Sequence, residues 1–193
     1  YFGLTKDYIM KLYENVIIGN FLYTLGLNIG INKELPKYSS INLLQQTPAD
    51  KALGDVLLEF PGVVRLIEFK NKKSNKEKEK TRLKLLEMAL SGEDKMIDIS
   101  RQIHWYIETE PSKDSCFNRI VPYLDAFDNE VHGEDTIEPY IEMIVQEINR
   151  PFDNSKHQDI KDYLKLIQMT QGSSSTGTGG LIINITEKGI RYL

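Results

Sequence analysis

Apolar positions along the chain recur at two different periods, and the change of period marks the elements. From about 5 to 26 the spacing is helical, with Thr5 as N-cap and Ile9, Leu12, Tyr13, Val16 and Ile17 on one stripe. Residues 27–54 hold Gly30, Pro36 and Pro48, a connector with one short helix predicted at about 41–46. Two β-rich runs follow, 55–60 and 63–70, on either side of Pro61-Gly62. Pro sets the first corner of a turn and Gly supplies the second, so the segment reads as a hairpin. Apolar residues on both of its faces (Val56, Leu58, Phe60, Val63, Ile67 and Phe69 against Leu57, Val64 and Leu66) predict a central sheet covered on two sides.

Helical spacing returns at 76–90, where Leu83, Leu86 and Leu90 form the inner stripe. Residues 103–109 alternate as a strand, with Ile103, Trp105 and Ile107 on one face. His104, Tyr106 and Glu108 lie on the other, which reads as a partly exposed sheet face more readily than as a substrate platform. Between 111 and 133 no period dominates, and Cys116–Val121 fits strand or loop. Helices are predicted at about 137–149, with Ile137, Ile141, Ile144, Val145 and Ile148 as core stripe, and at about 156–171, with Ile160, Leu164 and Ile167 inward. A low-complexity loop covers 172–180 and a strand 181–186.

Composition narrows the class. The 193 residues are 40% hydrophobic and 27% charged, ordinary for one globular domain. The single cysteine, Cys116, excludes an internal disulfide and suits a reducing cytosol. No apolar run approaches the ~20 residues of a membrane span. His104, His132 and His157 lack metal-ligand spacing, and Cys116 has no CxxC partner, which argues against zinc.

Charge is distributed unevenly. The net charge of −4 argues against indiscriminate coating of nucleic acid. Yet between 70 and 84 there are eight basic residues against Glu77 and Glu79, while 125–162 carries eleven acids against three bases. Such asymmetry would orient a polyanion towards Lys70. Lys72, Lys73, Lys76, Lys80 and Lys84 are the candidate phosphate contacts, or alternatively a solvated helix face.

The hairpin carries the candidate chemistry. With the turn centred on Pro61-Gly62, cross-strand partners have numbers summing to 123: Phe60 faces Val63, Leu57 faces Leu66, and Asp55 faces Glu68. Opposed carboxylates ~5 Å apart at Cβ repel each other. Lys70 shares their face by period-2 alternation. A divalent cation between the two acids would turn this poor structural choice into a good one.

Asp55 followed, a dozen residues on, by Glu68-x-Lys70 on the second strand of a hairpin resembles the PD-(D/E)xK signature of restriction-endonuclease-like nucleases. Gly54 stands where the motif's name has Pro, a position without chemistry of its own. The resemblance implies an α/β fold with an αβββαβ core, a central mixed sheet flanked by helices. It implies Asp55, Glu68 and Lys70 as catalytic residues, with Mg²⁺ or Mn²⁺ held by Asp55, Glu68 and the carbonyl of Phe69. Many such enzymes carry another acid on the helix before the sheet. Glu14, flanked by Met10, Ile17 and Ile18, is the residue that corresponds; a solvated glutamate near Lys11 is the alternative. The substrate implied is nucleic acid, DNA favoured over RNA, in a cytoplasmic restriction, repair or phage-defence setting, with a homodimer or partner subunit as the assembly. With the helices at 76–90 and 156–171 set aside, the predicted elements run α-β-β-β-α-β.

Residues 186–193 resemble the end of a winged-helix module, with Thr186 as N-cap of a closing helix, or else follow a last core strand. A C-terminal appendage from about 150 is the corresponding domain reading. The competing function is a non-catalytic nucleic-acid- or protein-binding module, a regulator or antitoxin-like subunit, with a structural hairpin and a functional C-terminus.

Overall fold

The computed structural model describes residues 13–31, 38–43, 55–60, 63–110, 117–133, 136–148, 150, 156–170, 182–186 and 189–192. Thr5, Ile9, Leu12, Gly54, Pro61-Gly62, Cys116 and the 172–180 loop lie outside them. Helix α1 spans Glu14–Ile31, five residues past the expected end at 26. Strands β1 (Tyr38–Leu43), β2 (Val56–Phe60) and β3 (Val63–Asn71) follow, then helices α2 (Glu77–Ala89) and α3 (Asp94–Ile103). Strand β4 (His104–Thr109) leads to β5 (Phe117–Pro122) and a 3₁₀ turn at Tyr123–Asp125. Helices α4 (Glu138–Ile148) and α5 (His157–Thr170) precede β6 (Ile182–Thr186) and β7 (Gly189–Tyr192).

The strands form one mixed sheet in the order β5-β4-β3-β2-β1-β6-β7. Among the described strands only the β3/β4 pair is parallel. A parallel pair needs a crossover, which α2 and α3 supply. The hairpin register is the one the turn dictates: Phe60 opposes Val63, Leu57 opposes Leu66 and Val56 opposes Ile67.

Both faces are covered, so the near-continuous apolar content of β2 and β3 has its reason. On one side Val56, Leu58, Val63, Ile67 and Phe69 pack with Ile17, Phe21 and Leu25 of α1 and Tyr140, Ile141 and Ile144 of α4. On the other, Leu57, Leu66 and Tyr106 pack with Leu83 and Leu86 of α2, Ile99 and Ile103 of α3, and Tyr163 and Ile167 of α5. Helix α1 is apolar on its outer side too, exposing Val16, Tyr23, Leu27 and Ile31.

Several expectations are corrected. The helix expected at 41–46 overlaps strand β1, which is paired on both edges, with β2 and with β6. An αβββαβ order is present, but as α1-β1-β2-β3-(α2, α3)-β4, so the strand expected third at 103–109 comes fourth. Ile103 ends α3 rather than beginning that strand. His104 and Tyr106 are buried beneath the helices, not partly exposed. The chain closes on strand β7 along β6 where a helix was one expectation. Residues 117–122, open between strand and loop, are strand β5. The turn that follows is tied down by Arg119, whose guanidinium donates to the carbonyls of Asp125, Asp128 and Val131. Gly133 lies so close to this strand that a Cβ would meet the Ile120 carbonyl at 2.5 Å.

Candidate functional site

Strand β3 runs on past its last β2 partner, Ile67, to Asn71. On this overhang the backbone groups facing the β2 edge meet carboxylates instead of a strand. The Asp55 N–H donates to the Ile67 carbonyl at 3.1 Å. Asp55 Oδ2 accepts from the Phe69 N–H at 2.7 Å, and Glu14 Oε1 from the Asn71 N–H at 3.4 Å. In an extended strand a residue's N–H and C=O point to the same edge. The Phe69 carbonyl therefore lies along this edge between the attachment points of Asp55 and Glu14. The opposite edge of β3 is closed by β4.

Glu68 and Lys70 project from β3 towards α2. The Lys70 ammonium pairs with Glu68 and lies 4.0 Å from Glu79 of α2. Arg82 Nη1 is 3.2 Å from Glu79 and 3.8 Å from Glu68. The Tyr123 hydroxyl donates to the other oxygen of Glu79. Further out, Lys76 pairs with Glu108, whose carboxylate also accepts from the Tyr106 hydroxyl at 3.4 Å.

Asp55, Glu68 and Glu79 are at most 4% exposed. Burial holds the Glu68 carboxyl well above its ordinary range, and the charges of Asp55 and Glu79 push the same way, against Lys70. Burial alone would weaken the Lys70 ammonium, but Glu68, Asp55 and Glu79 outweigh it and hold the proton more tightly than usual. Burial and the nearby Glu79 likewise raise the Tyr123 hydroxyl. Among the described residues, the three carboxylates, fully ionised, exceed Lys70 and Arg82 by one negative charge. That imbalance in a dry setting is what a bound cation would relieve.

The structure thus brings Asp55, Glu68, Lys70 and the Phe69 carbonyl together at one end of β3. Glu14 reaches the same strand end from the α1 layer and caps its backbone. Among the described residues no three His, Cys, Asp or Glu side chains are gathered to hold a metal, so Glu14 does not complete a three-carboxylate shell. Two carboxylates and a carbonyl remain, an all-oxygen set that suits Mg²⁺ or Mn²⁺.

The lysines divide. Lys76 is bound inward to Glu108; Lys72 pairs with Glu110 at 2.7 Å and Lys80 with Glu77 at 3.0 Å on the surface. Lys73 and Lys84 are exposed.

Sequence reasoning missed Glu79, Arg82, Tyr123 and Glu108 as parts of the site. Glu79 was legible: positions 79, 83, 86 and 90 share one helical stripe, so an acid sits in line with Leu83, Leu86 and Leu90. Tyr123 carried no signal, since it arrives through a 3₁₀ turn in a stretch without periodicity.

No protein-family model, curated protein or solved structure matches the chain at a significant level. Among the described residues no helix is long and apolar enough to cross a membrane.

Proposed function

We propose that the chain is a metal-dependent nuclease of the PD-(D/E)xK kind, hydrolysing phosphodiester bonds in nucleic acid, with DNA the favoured substrate. One observation carries the reading. Asp55, just before β2, and Glu68, Phe69 and Lys70 from the overhang of β3 converge on one strand end, where acids outnumber bases among the described residues. The restriction-endonuclease-like fold is part of the same proposal, supported by the αβββαβ order over 14–109 with the Asp immediately before its second strand and the Glu-x-Lys on its third.

The roles follow from chemistry. Asp55, Glu68 and the Phe69 carbonyl would hold Mg²⁺ or Mn²⁺ through oxygen. Such an ion acidifies a bound water and neutralises charge developing at phosphorus. Asp55, anchored by the Phe69 N–H, keeps its carboxylate fixed against the strand. Lys70, protonated and held by acids, supplies a positive charge for the phosphoryl oxygens and a proton donor or water-orienting group beside Glu68. Exposed Lys73 and Lys84, with Lys72 and Lys80, would hold the backbone without reading its sequence. The competing reading, a binding module using a winged-helix-like C-terminus, has less behind it, since 189–192 is strand.

The test is Mg²⁺-dependent degradation of DNA and RNA by wild type, Asp55→Ala and Lys70→Ala. Wild type should cleave, and each variant should lose at least about a thousandfold, the scale seen when a member of a catalytic set is removed. Undiminished cleavage by Asp55→Ala would sink the proposal, and binding without cleavage in Mg²⁺ and Mn²⁺ alike would favour the module.

A further inference from the structure

We propose that Glu79, fixed by Arg82 and Tyr123, is a second station for the Lys70 ammonium, occupied when a divalent cation takes Glu68. The inference rests on the metal-dependent reading above. Lys70 Nζ now sits against Glu68 Oε1, the same oxygen that lies 3.8 Å from Arg82. A cation shared by Asp55 and Glu68 would face that ammonium across one carboxylate, and two positive groups at such range in a dry pocket repel strongly. The lysine must move, and its flexible four-carbon stem allows it.

Glu79 Oε2 already stands 4.0 Å from Nζ, close enough to attract and too long for a hydrogen bond. Its carboxylate is held at both ends. Arg82 lies 3.2 Å from Oε2, and the Tyr123 hydroxyl donates to Oε1. Tyr123 is itself immobilised under His104, their rings parallel with centroids 4.0 Å apart. An acceptor this rigid can receive the ammonium by a shift of Lys70 alone. This gives a reason for an acid on the inner stripe of α2, a position whose neighbours are Leu83 and Leu86. Glu79 is then a positioning residue: it acts on the reaction through Lys70, easing the exchange of a proton-bearing cation for a divalent one.

The experiment measures Mn²⁺ binding by calorimetry, without nucleic acid, to wild type, Glu79→Gln, Lys70→Met and the double variant, each checked for a cooperative thermal transition. Glu79→Gln should weaken Mn²⁺ about tenfold when Lys70 is present, the scale of losing an outer-shell partner. In the Lys70→Met background the same change should weaken it by less than about threefold, the residual through-space attraction of the carboxylate. Equal losses in both backgrounds would overturn the proposal, because Glu79 would then act on the ion itself. Absence of Mn²⁺ binding by wild type would strike at the metal-dependent reading first and remove both. Should Glu79→Gln not fold, Tyr123→Phe, which frees one end of the carboxylate, replaces it in the same cycle. Its effect must likewise depend on Lys70.

Discussion

The two faces of β3 bury charge in opposite ways. On the α1/α4 face, Arg65 is wholly buried and meets one carboxylate, Glu147, at 2.6 Å. Three residues further along the strand, on the α2 face, Glu68 and Lys70 belong to a cluster in which acids outnumber bases. The first arrangement is balanced in charge, one guanidinium to one carboxylate, although the buried Arg65 Nε is left without a hydrogen-bond partner among the described residues. The second is unbalanced and lies at the open end of a strand. A balanced pair serves as structure; a buried excess of one sign is a reservoir of unfavourable energy that function can draw on.

The sharpest way to break this contrast is to neutralise a glutamate on each face. Glu147→Gln leaves the Arg65 guanidinium without a counter-charge and should cost about 3 kcal/mol, the lower range for breaking a buried pair, since Glu147 itself is partly exposed. Replacing both partners with Met and Leu should recover most of that loss. Glu68→Gln should do the reverse, raising stability at neutral pH by about 1–2 kcal/mol and, on the proposed nuclease reading, abolishing hydrolysis, as when a strained site is relaxed. The sign follows from the raised carboxyl of Glu68. The folded chain holds that proton to higher pH than the unfolded one, so its contribution is full below the ordinary carboxylate range and is lost as pH rises beyond it. Urea unfolding from pH 4 to 8 should show wild type falling relative to Glu68→Gln. Destabilisation of similar size at both positions would erase the distinction between the faces.

The same contrast explains how much the sequence disclosed. The hairpin register follows from local rules: a turn centred between 60 and 63 with strict alternation yields the observed partners from Phe60–Val63 to Val56–Ile67, and the text alone carries that register one step on to Asp55 and Glu68, just beyond the last paired residues. Elements set by distant partners were harder. Ile41 and Leu44 mimic helical spacing, and only pairing with β2 and β6 makes 38–43 a strand. Helix α3 was legible as well, since Met96, Ile99 and Ile103 have the right spacing and a charged face lies opposite them, and it was overlooked. In the site, the residues on the hairpin were legible; Arg82 and Tyr123 arrive from other elements and have meaning only once folded.

A smaller contrast lies within the α2 face, between the charged end and the neutral end of its polar network. His104 Nδ1 lies 2.9 Å from the Tyr163 hydroxyl, which in turn lies 2.7 Å from Ser100 Oγ. Burial lowers the imidazole from 6.5 to about 3, so it is neutral in the folded chain. A depressed value means that its stabilisation is present above about pH 6.5 and is lost as pH falls towards 3. His104→Phe keeps a ring against Tyr123 and gives up the bond to Tyr163, at about 1 kcal/mol near neutral pH. Its denaturation midpoint should then decline less than that of wild type between pH 6.5 and 4. Parallel declines would show that the acid sensitivity lies elsewhere.

The smallest effects separate the lysines that close the site from those that rim it. Lys76 is half-buried and its ammonium neutralises Glu108, a carboxylate already shared with Tyr106 beneath α2. Removing it takes a hydrogen-bonded cation away from a buried acid, so Lys76→Ala should lower stability even when no nucleic acid is present. Lys73 and Lys84 are exposed, and their removal has no such cost to impose. On the proposed nuclease reading their contribution is confined to phosphate: Lys73→Ala or Lys84→Ala should leave the melting temperature unchanged, weaken binding to any sequence equally and reduce the salt slope by about one. The ordering depends on burial rather than charge, since all three residues carry the same ammonium on the same stem. If Lys73→Ala and Lys84→Ala left both affinity and salt slope untouched, the basic stretch from 70 to 84 would be a solvated helix face, and the polyanion would have to enter the site from the side of α1 and Glu14.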